Sequence, residues 1–573
     1  MKTFPTIETL KRAPFGLADV AVILGTLTIL ALITYLGSGL IVQFQPPTIV
    51  PEIDLDPRNL PYYAGRSTLR MFIALFFSTI FTFAYGYVAA NSARAEKVLI
   101  PLLDILQSVP VLGFLSITVT GFIALFPGSL LGLEAASIFA IFTSQAWNMT
   151  FSFYQSLRTI PKELDEAVRL YQLSRWQRFT NLELPNACVG LLWNAMMSFG
   201  GGWFFVSESE AISVLNQEYT LPGIGSYVAT AIAQENLPAL AWAVVTIAVV
   251  IISIDQLFWR PLVAWSDKFR LEQSASSEVP ESWVYDLLTK ARIPRLVGNF
   301  LAPVTDRIDQ YLSNLSRLLP PSANENELKN DRWFNFILWI VVGVLVAWAL
   351  QFIVTTVGFA EVVKVFGLGC LTMLRVLVLL VFATLVWTPV GVRIGFEPKL
   401  AKLLQPIVQF LAAFPANFIF PFATLLFIRS GVSINWGSIL LMSLGAQWYI
   451  LFNSIAGAQS ISTDLREMAA VIGLKGWKKW QKLIIPGIFS AWVTGGITAC
   501  GGAWNASIVS EVVSWGTNKL KADGLGAYIA EATTIGDWAR ITLGIATMSL
   551  FVVGINRIFW RRLYHLAETK YHL

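Results

Sequence analysis

The sequence predicts an all-α polytopic membrane protein built from two parallel six-helix repeats, about twelve transmembrane helices in all. Three observations predict it. The 573 residues are 55% apolar and only 13% charged, with a mean hydropathy of +0.61, whereas an ordinary soluble domain carries about 25% charged residues. The apolar residues gather in runs near the ~20 that cross a bilayer as a helix. A basic twenty-residue segment also occurs twice, at 166–185 and 467–486, each copy opening on Glu, closing on Pro and lying between long apolar runs.

Taken in order, the first run (20–42) is too long for a signal-peptide core and has no small-x-small cleavage pattern close behind it, so a retained helix is expected. Further spans are expected near 71–90, 102–126, 135–153, 188–206 and 237–258. The second half offers runs near 334–357, 376–392, 407–428, 436–455, 488–509 and 541–558. A shift of 301 aligns Trp147 with Trp448, Gly200 with Gly501, Trp203 with Trp504, Glu210 with Glu511 and Tyr227 with Tyr528. Earlier in each half the shift becomes 305, pairing Arg70 with Arg375, Gly86 with Gly391 and Pro110 with Pro415. Two homologous halves are the simplest account of these matches.

Charge then orients the chain. Lys2, Lys11, Arg12, Arg94, Lys97, the basic segment, Lys268, Arg270, Arg557, Arg561 and Arg562 fall on one side of the expected spans, whereas 207–235 holds no Lys or Arg. The positive-inside bias places that basic side, and both termini, in the cytoplasm, with Lys364, Lys519 and Lys521 running against it. An even helix count sets both halves the same way up. The expected organisation is a first repeat at 1–260, a cytoplasmic linker at 261–331 and a second repeat at 332–573. Ser, Pro, Asn and Glu enrich 274–280 and 320–330, as in flexible tethers. Trp283, Tyr285, Leu287 and Leu288 between them suit an amphipathic surface helix.

Several chemistries find no support. Cys188, Cys370 and Cys500 are widely spaced in or beside apolar segments, which suits neither a disulfide framework nor a zinc site. Both histidines, His565 and His572, fall at the end of the chain. No catalytic or metal residue is therefore expected, and no nucleic-acid partner. A membrane enzyme would need His, Asp or Cys clustered at one depth, and no such cluster is visible.

The duplicated segment has a physical logic. Pro161 suits a first helical turn and Ser462 and Thr463 are capping residues. Ala167, Ala469 and Ala470 are small enough for close backbone approach, and Gly473 can turn the chain. Leu184-Pro185 and Ile485-Pro486 then restart a membrane helix. A plain basic loop obeying the positive-inside rule would explain one copy, but not two at matched positions. The segments resemble the cytoplasmic coupling loop of ABC-importer permeases, Glu-Ala-Ala, three residues, Gly, nine residues, Ile, any residue, Leu-Pro. On that resemblance the loops would span 161–185 and 462–486, with ATPase-coupling residues Glu166, Ala167, Gln172, Leu184 and Pro185, and Glu467, Ala469, Gly473, Ile485 and Pro486. Gln172 stands where the pattern has Gly, and Met468 where it has its first Ala.

The stretches 501–511, with Trp504, Asn505 and Glu511, and 524–529, with Gly524, Gly526 and Tyr528, resemble the nitrate/taurine/sulfonate/bicarbonate branch of these permeases. The resemblance implies two fused type I importer permease units in a prokaryotic plasma membrane. It also implies two cytoplasmic ABC ATPase subunits, an extracytoplasmic solute-binding protein, and a small anion or organic nutrient as substrate. MgATP would act on the partner subunits, since this chain has no Gly-x4-Gly-Lys-Ser/Thr phosphate loop and no cofactor of its own is expected.

Pathway candidates are Arg70, Arg375, Trp203, Glu210, Trp504, Asn505 and Glu511. Glu208, Glu210 and Glu511 sit at the outer ends of the fifth spans, either lining a route or simply in water beyond the hydrocarbon. Arg70 and Arg375 offer an anion a fork of donors or snorkel to the interface. The Trp residues either line the route or pack between helices, and Gln145 and Gln447 are weaker candidates. The alternative, a secondary active transporter with parallel repeats, needs an acidic residue deep in a helix. Asp104 is its best candidate, with uncharged Gln409 as the counterpart, and it leaves the duplicated loops unexplained.

Overall fold

The computed structural model describes residues 16–39, 51–108, 111–214, 217–269, 282–317 and 332–570. Lys2, Lys11, Arg12, Pro110, Arg270, His572 and the tethers at 274–280 and 320–330 lie outside the described residues. The first half runs through α1 (Leu17–Ser38), α2 (Leu60–Asn91), α3 (Ala93–Ser108), α4 (Val111–Leu125) and α5 (Leu131–Arg158). Next come α6 (Lys162–Leu170), α7 (Arg175–Arg178), α8 (Leu184–Glu210), the hairpin β1 (Ala211–Val214) and β2 (Gln217–Thr220), α9 (Ile224–Ala233), α10 (Leu237–Ile254) and α11 (Arg260–Ser266). Two linker helices follow, α12 (Trp283–Lys290) and α13 (Ile293–Arg317).

The second half repeats the order with α14 (Arg332–Val357), α15 (Phe359–Phe396), α16 (Pro398–Ala413), α17 (Phe420–Ser430) and α18 (Ile434–Ser460). It continues with α19 (Thr463–Val471), α20 (Gly476–Lys479), α21 (Ile485–Ser510), β3 (Val512–Trp515), β4 (Asn518–Lys521), α22 (Leu525–Ile535), α23 (Trp538–Ile555) and α24 (Arg561–Lys570). Among the described residues, eight helices are long and apolar enough to cross a membrane. The protein is an all-α polytopic membrane protein in two repeats, whose only strands among the described residues are two short antiparallel hairpins.

The third span of the second half differs from the single helix expected. In the second half α16 ends at Ala413, Phe414 and Pro415 are extended, and a short 3-10 turn at Ala416–Phe418 precedes α17. Proline supplies no N–H and pushes the residue before it out of the helical region, so Phe414-Pro415 breaks the span. In the first half α3 and α4 flank Pro110, which lies outside the described residues.

The third spans knit the halves together. One core packs Leu112, Leu115 and Val119 of α4 against Trp504, Ile529 and Phe551 of the second half. The other packs Phe199, Trp203 and Tyr227 of the first half against Phe418 and Trp515 of the second. Large apolar side chains such as Leu24, Phe76, Val249 and Leu385 remain exposed on the outer faces of the long helices, the arrangement a lipid solvent allows and water penalises.

Candidate functional site

Two regions recur in both halves and carry nearly all of the sequence-predicted site residues. The first is the duplicated segment. In each copy a nine-residue helix, α6 or α19, ends at a residue in the left-handed region, Gln172 (φ +51°) or Gly473 (φ +72°). The next amide closes a six-residue ring onto the helix, Leu173 N–H to the Val168 carbonyl (3.3 Å) and Leu474 N–H to the Ala469 carbonyl (2.9 Å). This is the Schellman way of ending a helix, which favours glycine because it has no Cβ to clash. The first copy keeps the geometry with a glutamine. Met468 likewise leaves its helix intact.

A four-residue helix follows, then a wide π turn, Phe179–Glu183 or Trp480–Ile484, that runs into α8 or α21. Pro185 and Pro486 enter two residues later. A proline ring collides with the carbonyl four residues back, and that residue (Asn181 or Lys482) lies inside the widened turn in both copies. The prolines thus sit where the helix is already loosened. Ser174 caps α7 in a reciprocal pair with Gln177, and Ser462 caps α19.

Glu166 and Glu467 are exposed, Ala167 is half-buried, and Ala469 is buried against Leu483, Ile484 and Ile488. Leu170 and Tyr171 on the first copy, and Met468, Val471 and Ile472 on the second, present apolar side chains to solvent at the helix tips. The braces differ. Arg178 bridges Asp165 (2.7 Å) and Glu183 (2.8 Å) in the first copy, whereas Arg466 lies 4.5 Å over the Phe396 ring in the second.

The second region lies at the opposite end of the fifth spans. Arg70 forks onto the Glu134 carboxylate (2.5 and 2.7 Å), reaches Glu210 (2.5 Å) and donates to the Pro222 carbonyl (3.0 Å). Arg66 donates a further charged hydrogen bond to Glu134. Glu210 also accepts from the Ser67 hydroxyl (2.6 Å) and from the Gly225 amide (2.7 Å) at the start of α9, a carboxylate capping a helix N-terminus. All four charged side chains are buried. A Cβ on Gly223 would overlap the Glu210 carboxylate, which makes glycine obligatory there.

In the second half Arg375 donates to Glu511 (2.7 Å), to the Asn435 side chain (2.8 Å) and to the Asp523 carbonyl (3.0 Å). Thr372 takes the place of Ser67, bonding Glu511 (2.7 Å) and receiving the Leu525 amide (2.9 Å). Arg70 and Arg375 therefore neither snorkel nor stand open, because neighbouring helices supply buried carboxylates. Glu210 and Glu511 are buried in protein rather than in water. Glu208 receives a hydrogen bond (2.6 Å) from Asn417 of the other half's broken span.

The remaining candidates scatter. Trp203 is buried yet forms part of the wall of a cavity of about 320 Å3 between α8 and α10 of the first half and α16 and α18 of the second. Met196, Phe199, Gln409, Phe410 and Tyr449 share that mostly apolar wall, and the Asp255–Arg260 ion pair (2.9 Å) contributes to it. Trp504 is core, stacked 5.9 Å from Phe551, and Asn505 donates to the Gly501 carbonyl (3.2 Å). Gln447 accepts from Trp387 (2.9 Å). Asp104 is exposed on α3, where it accepts from Gln107 (3.3 Å).

The family model of the binding-protein-dependent transport system inner membrane component matches twice, at residues 82–258 and 387–565, more than half of the chain. The chain belongs to this family. Two matches in one chain make it a fusion of two permease units of this family, and each match contains one copy of the duplicated segment.

Curated relatives agree with the branch expected from 501–529. A nitrate import permease protein of Leptolyngbya laminosa is 26% identical over 32% of this chain. A bicarbonate transport system permease protein of a Synechocystis species is 30% identical over 26% of it. A Bacillus subtilis permease assigned to aliphatic sulfonates transport is 26% identical over 27% of it. The match spans 62%, 50% and 53% of these relatives, between half and two-thirds of their length.

Glu134, Arg66, Asn435 and the Ser67/Thr372 pair escape a reading of the sequence by motif. Their signal is nevertheless present. Glu134 is an acidic residue within an apolar run that the shift of 301 sets on polar Asn435, and the shift of 305 sets Ser67 on Thr372.

Proposed function

We propose that this chain is the membrane permease of an ATP-driven importer, supplying in one polypeptide the two units that flank a single substrate route. In this reading, the apolar tips of α6 and α19 seat in grooves on two cytoplasmic ABC ATPase subunits, where MgATP binds and is hydrolysed. Glu166, Ala167, Gln172, Leu184 and Pro185, with Glu467, Ala469, Gly473, Ile485 and Pro486, shape those contacts. The observation that carries the reading is the duplicated helix–left-handed residue–short helix–π turn, leading straight into the fifth span of each half. A force on α6 or α19 would pass along one near-continuous rod to the outer charge cluster, which supports alternating access as the transport cycle.

The basic face, with both termini, is cytoplasmic in this reading, and the hairpin face receives an extracytoplasmic solute-binding protein. The relatives favour a small oxyanion such as nitrate, bicarbonate or a sulfonate as substrate. Trp203 and the cavity it borders are the proposed stretch of the route. That wall holds few donors for an anion, which suits passage and leaves selection to the binding protein. Arg70, Glu210, Arg375 and Glu511 act in this scheme as the rigid outer frame of the route, with Trp504 and Asn505 packing behind it.

Native mass spectrometry of the tagged chain, gently extracted from its own membrane, tests the proposal. One copy of this chain with two ATPase subunits is the expected mass. Repeated isolation without an ATPase, under conditions that preserve a known importer complex, would remove the coupling reading.

A further inference from the structure

The linker helix α13 packs against only one of the two duplicated segments. Its Ser313 hydroxyl bonds Ser174 (2.9 Å), its Ser316 hydroxyl accepts the Trp176 amide (3.3 Å), and its Asp309 accepts the Trp176 indole N–H (2.7 Å). Trp477, the counterpart of Trp176 at the shift of 301, is exposed. At its other end α13 is tied to the start of α1, where Asp19 accepts the amides of Arg292 (2.6 Å) and Ile293 (3.1 Å). Chain connectivity puts the start of α1, the end of α5, the start of α8 and the end of α10 on one face of the protein. Both anchors of α13 therefore lie at that face, and the roughly 20 helical residues between them cover about 30 Å.

The serine–aspartate face is turned to α7, but the opposite face has no partner among the described residues. Leu296, Phe300, Val304, Ile308, Tyr311 and Leu315 recur at three- or four-residue steps, within an arc of roughly 120°. They are exposed, Phe300 by 82% and Tyr311 by 69%. A water-facing helix would not carry such a stripe. Three observations say what covers it. The stripe begins where α13 meets the first turn of α1, so it continues the apolar surface that α1 gives to lipid. The adjoining α11–α12 region has the makings of an interfacial belt, with Lys268 4.3 Å over the Trp265 ring and Trp283 exposed. Arg317 flanks the stripe in the last turn of α13, from where its side chain can reach lipid headgroups.

We infer that α13 is an interfacial helix, its apolar stripe sunk in the boundary of the bilayer leaflet and its polar face holding the first coupling segment. Among the described residues it is a lipid-borne brace for the first coupling segment alone. This goes beyond the proposed function and depends on it only for which leaflet is engaged.

The test uses the full chain with Cys188, Cys370 and Cys500 replaced, in nanodiscs of mixed anionic and zwitterionic lipid, without any ATPase. Single spin labels are placed on the stripe (F300C, I308C) and off it (R295C, D306C). Collision with oxygen, which concentrates in lipid, is compared with collision with a water-soluble nickel chelate. The stripe labels are expected to favour oxygen at least several-fold over the off-stripe labels. Stripe labels as open to nickel as the others would overturn the inference. So would stripe labels that lose nickel access only when the ATPase is added, since the occupant is then a protein. The readout is independent of ATPase recruitment, so failure here leaves the coupling proposal standing.

Discussion

The outer charge clusters of the two halves answer one structural need with different numbers of charges. In the first half two arginines, Arg66 and Arg70, face two glutamates, Glu134 and Glu210. In the second half the position of Glu134 is taken by Asn435 and that of Arg66 by Leu371, leaving Arg375 with Glu511. The second half thus has one positive and one negative buried charge fewer, so the buried charges balance in each cluster, with exposed Asp523 accepting from Asn435 (3.4 Å) at the rim. What both keep is the tie from the second span to the end of the fifth and to the first amides of the short outer helix, α9 or α22. The shared tie is the mechanical requirement, and the extra Arg66–Glu134 pair is an elaboration that holds only as a pair. Buried ion pairs contribute little net stability when complete, yet are costly when one member is lost.

That contrast can be broken most severely at its centre. Arg70→Met strands buried Glu210, leaves Glu134 to Arg66 alone and is expected to cost at least the ~3–5 kcal/mol typical of an orphaned buried charge. Arg375→Met strands one carboxylate beside a slightly exposed site and should cost less. The unfolding midpoint of each purified variant, followed by intrinsic fluorescence, gives the order. Equal losses would mean that the two clusters do not differ in the way their charges suggest.

A second experiment rebuilds one cluster as the other. Arg66→Leu and Glu134→Asn should each destabilise by about 2–4 kcal/mol alone, because each leaves a buried charge unmatched. Together they recreate the arrangement around Arg375, and the double variant should recover most of that loss. A double-mutant cycle should therefore show a coupling of more than roughly 2–4 kcal/mol, over half of the summed single losses. Strict additivity would show that the two residues do not act as a unit.

The same comparison explains what could be read from the chain in advance. Span number, repeat and coupling segments rest on local patterns, namely apolar run length and a motif recurring at a fixed shift. Arg70, Glu210, Arg375 and Glu511 stood out because each charge interrupts an apolar run twice. Their partners were hidden, because Glu134 lies 64 residues from Arg70 along the chain and only the fold brings them to 2.5 Å. The broken third span had a local signal, Pro415 and Pro421 within one apolar run, but hydropathy alone reads through it. The exchange of those spans between the halves is long-range packing, which no local pattern specifies. Trp203 and Trp504 look equivalent in sequence, yet one borders the cavity and the other stacks on Phe551 in the core.

The smallest effect lies at the duplicated segments and is the sharpest local test of their likeness. Gln172 and Gly473 hold the same left-handed turn, but only glycine does so without a Cβ penalty. Gln172→Gly should therefore relieve strain worth about 1 kcal/mol, and Gly473→Gln should introduce about the same. Glycine also widens the unfolded ensemble, which trims the gain at position 172 to about half that. The global unfolding midpoint will hardly move, because the turn is at the surface and opens locally. Amide exchange at Leu173 and Leu474, the donors that close the two rings, reports the change directly. Leu173 should exchange more slowly in the Gln172→Gly chain and Leu474 faster in the Gly473→Gln chain, each by about two- to five-fold. If both substitutions leave exchange unchanged, the turns are held from outside by neighbouring helices. The glycine of the second copy is then no requirement of the geometry.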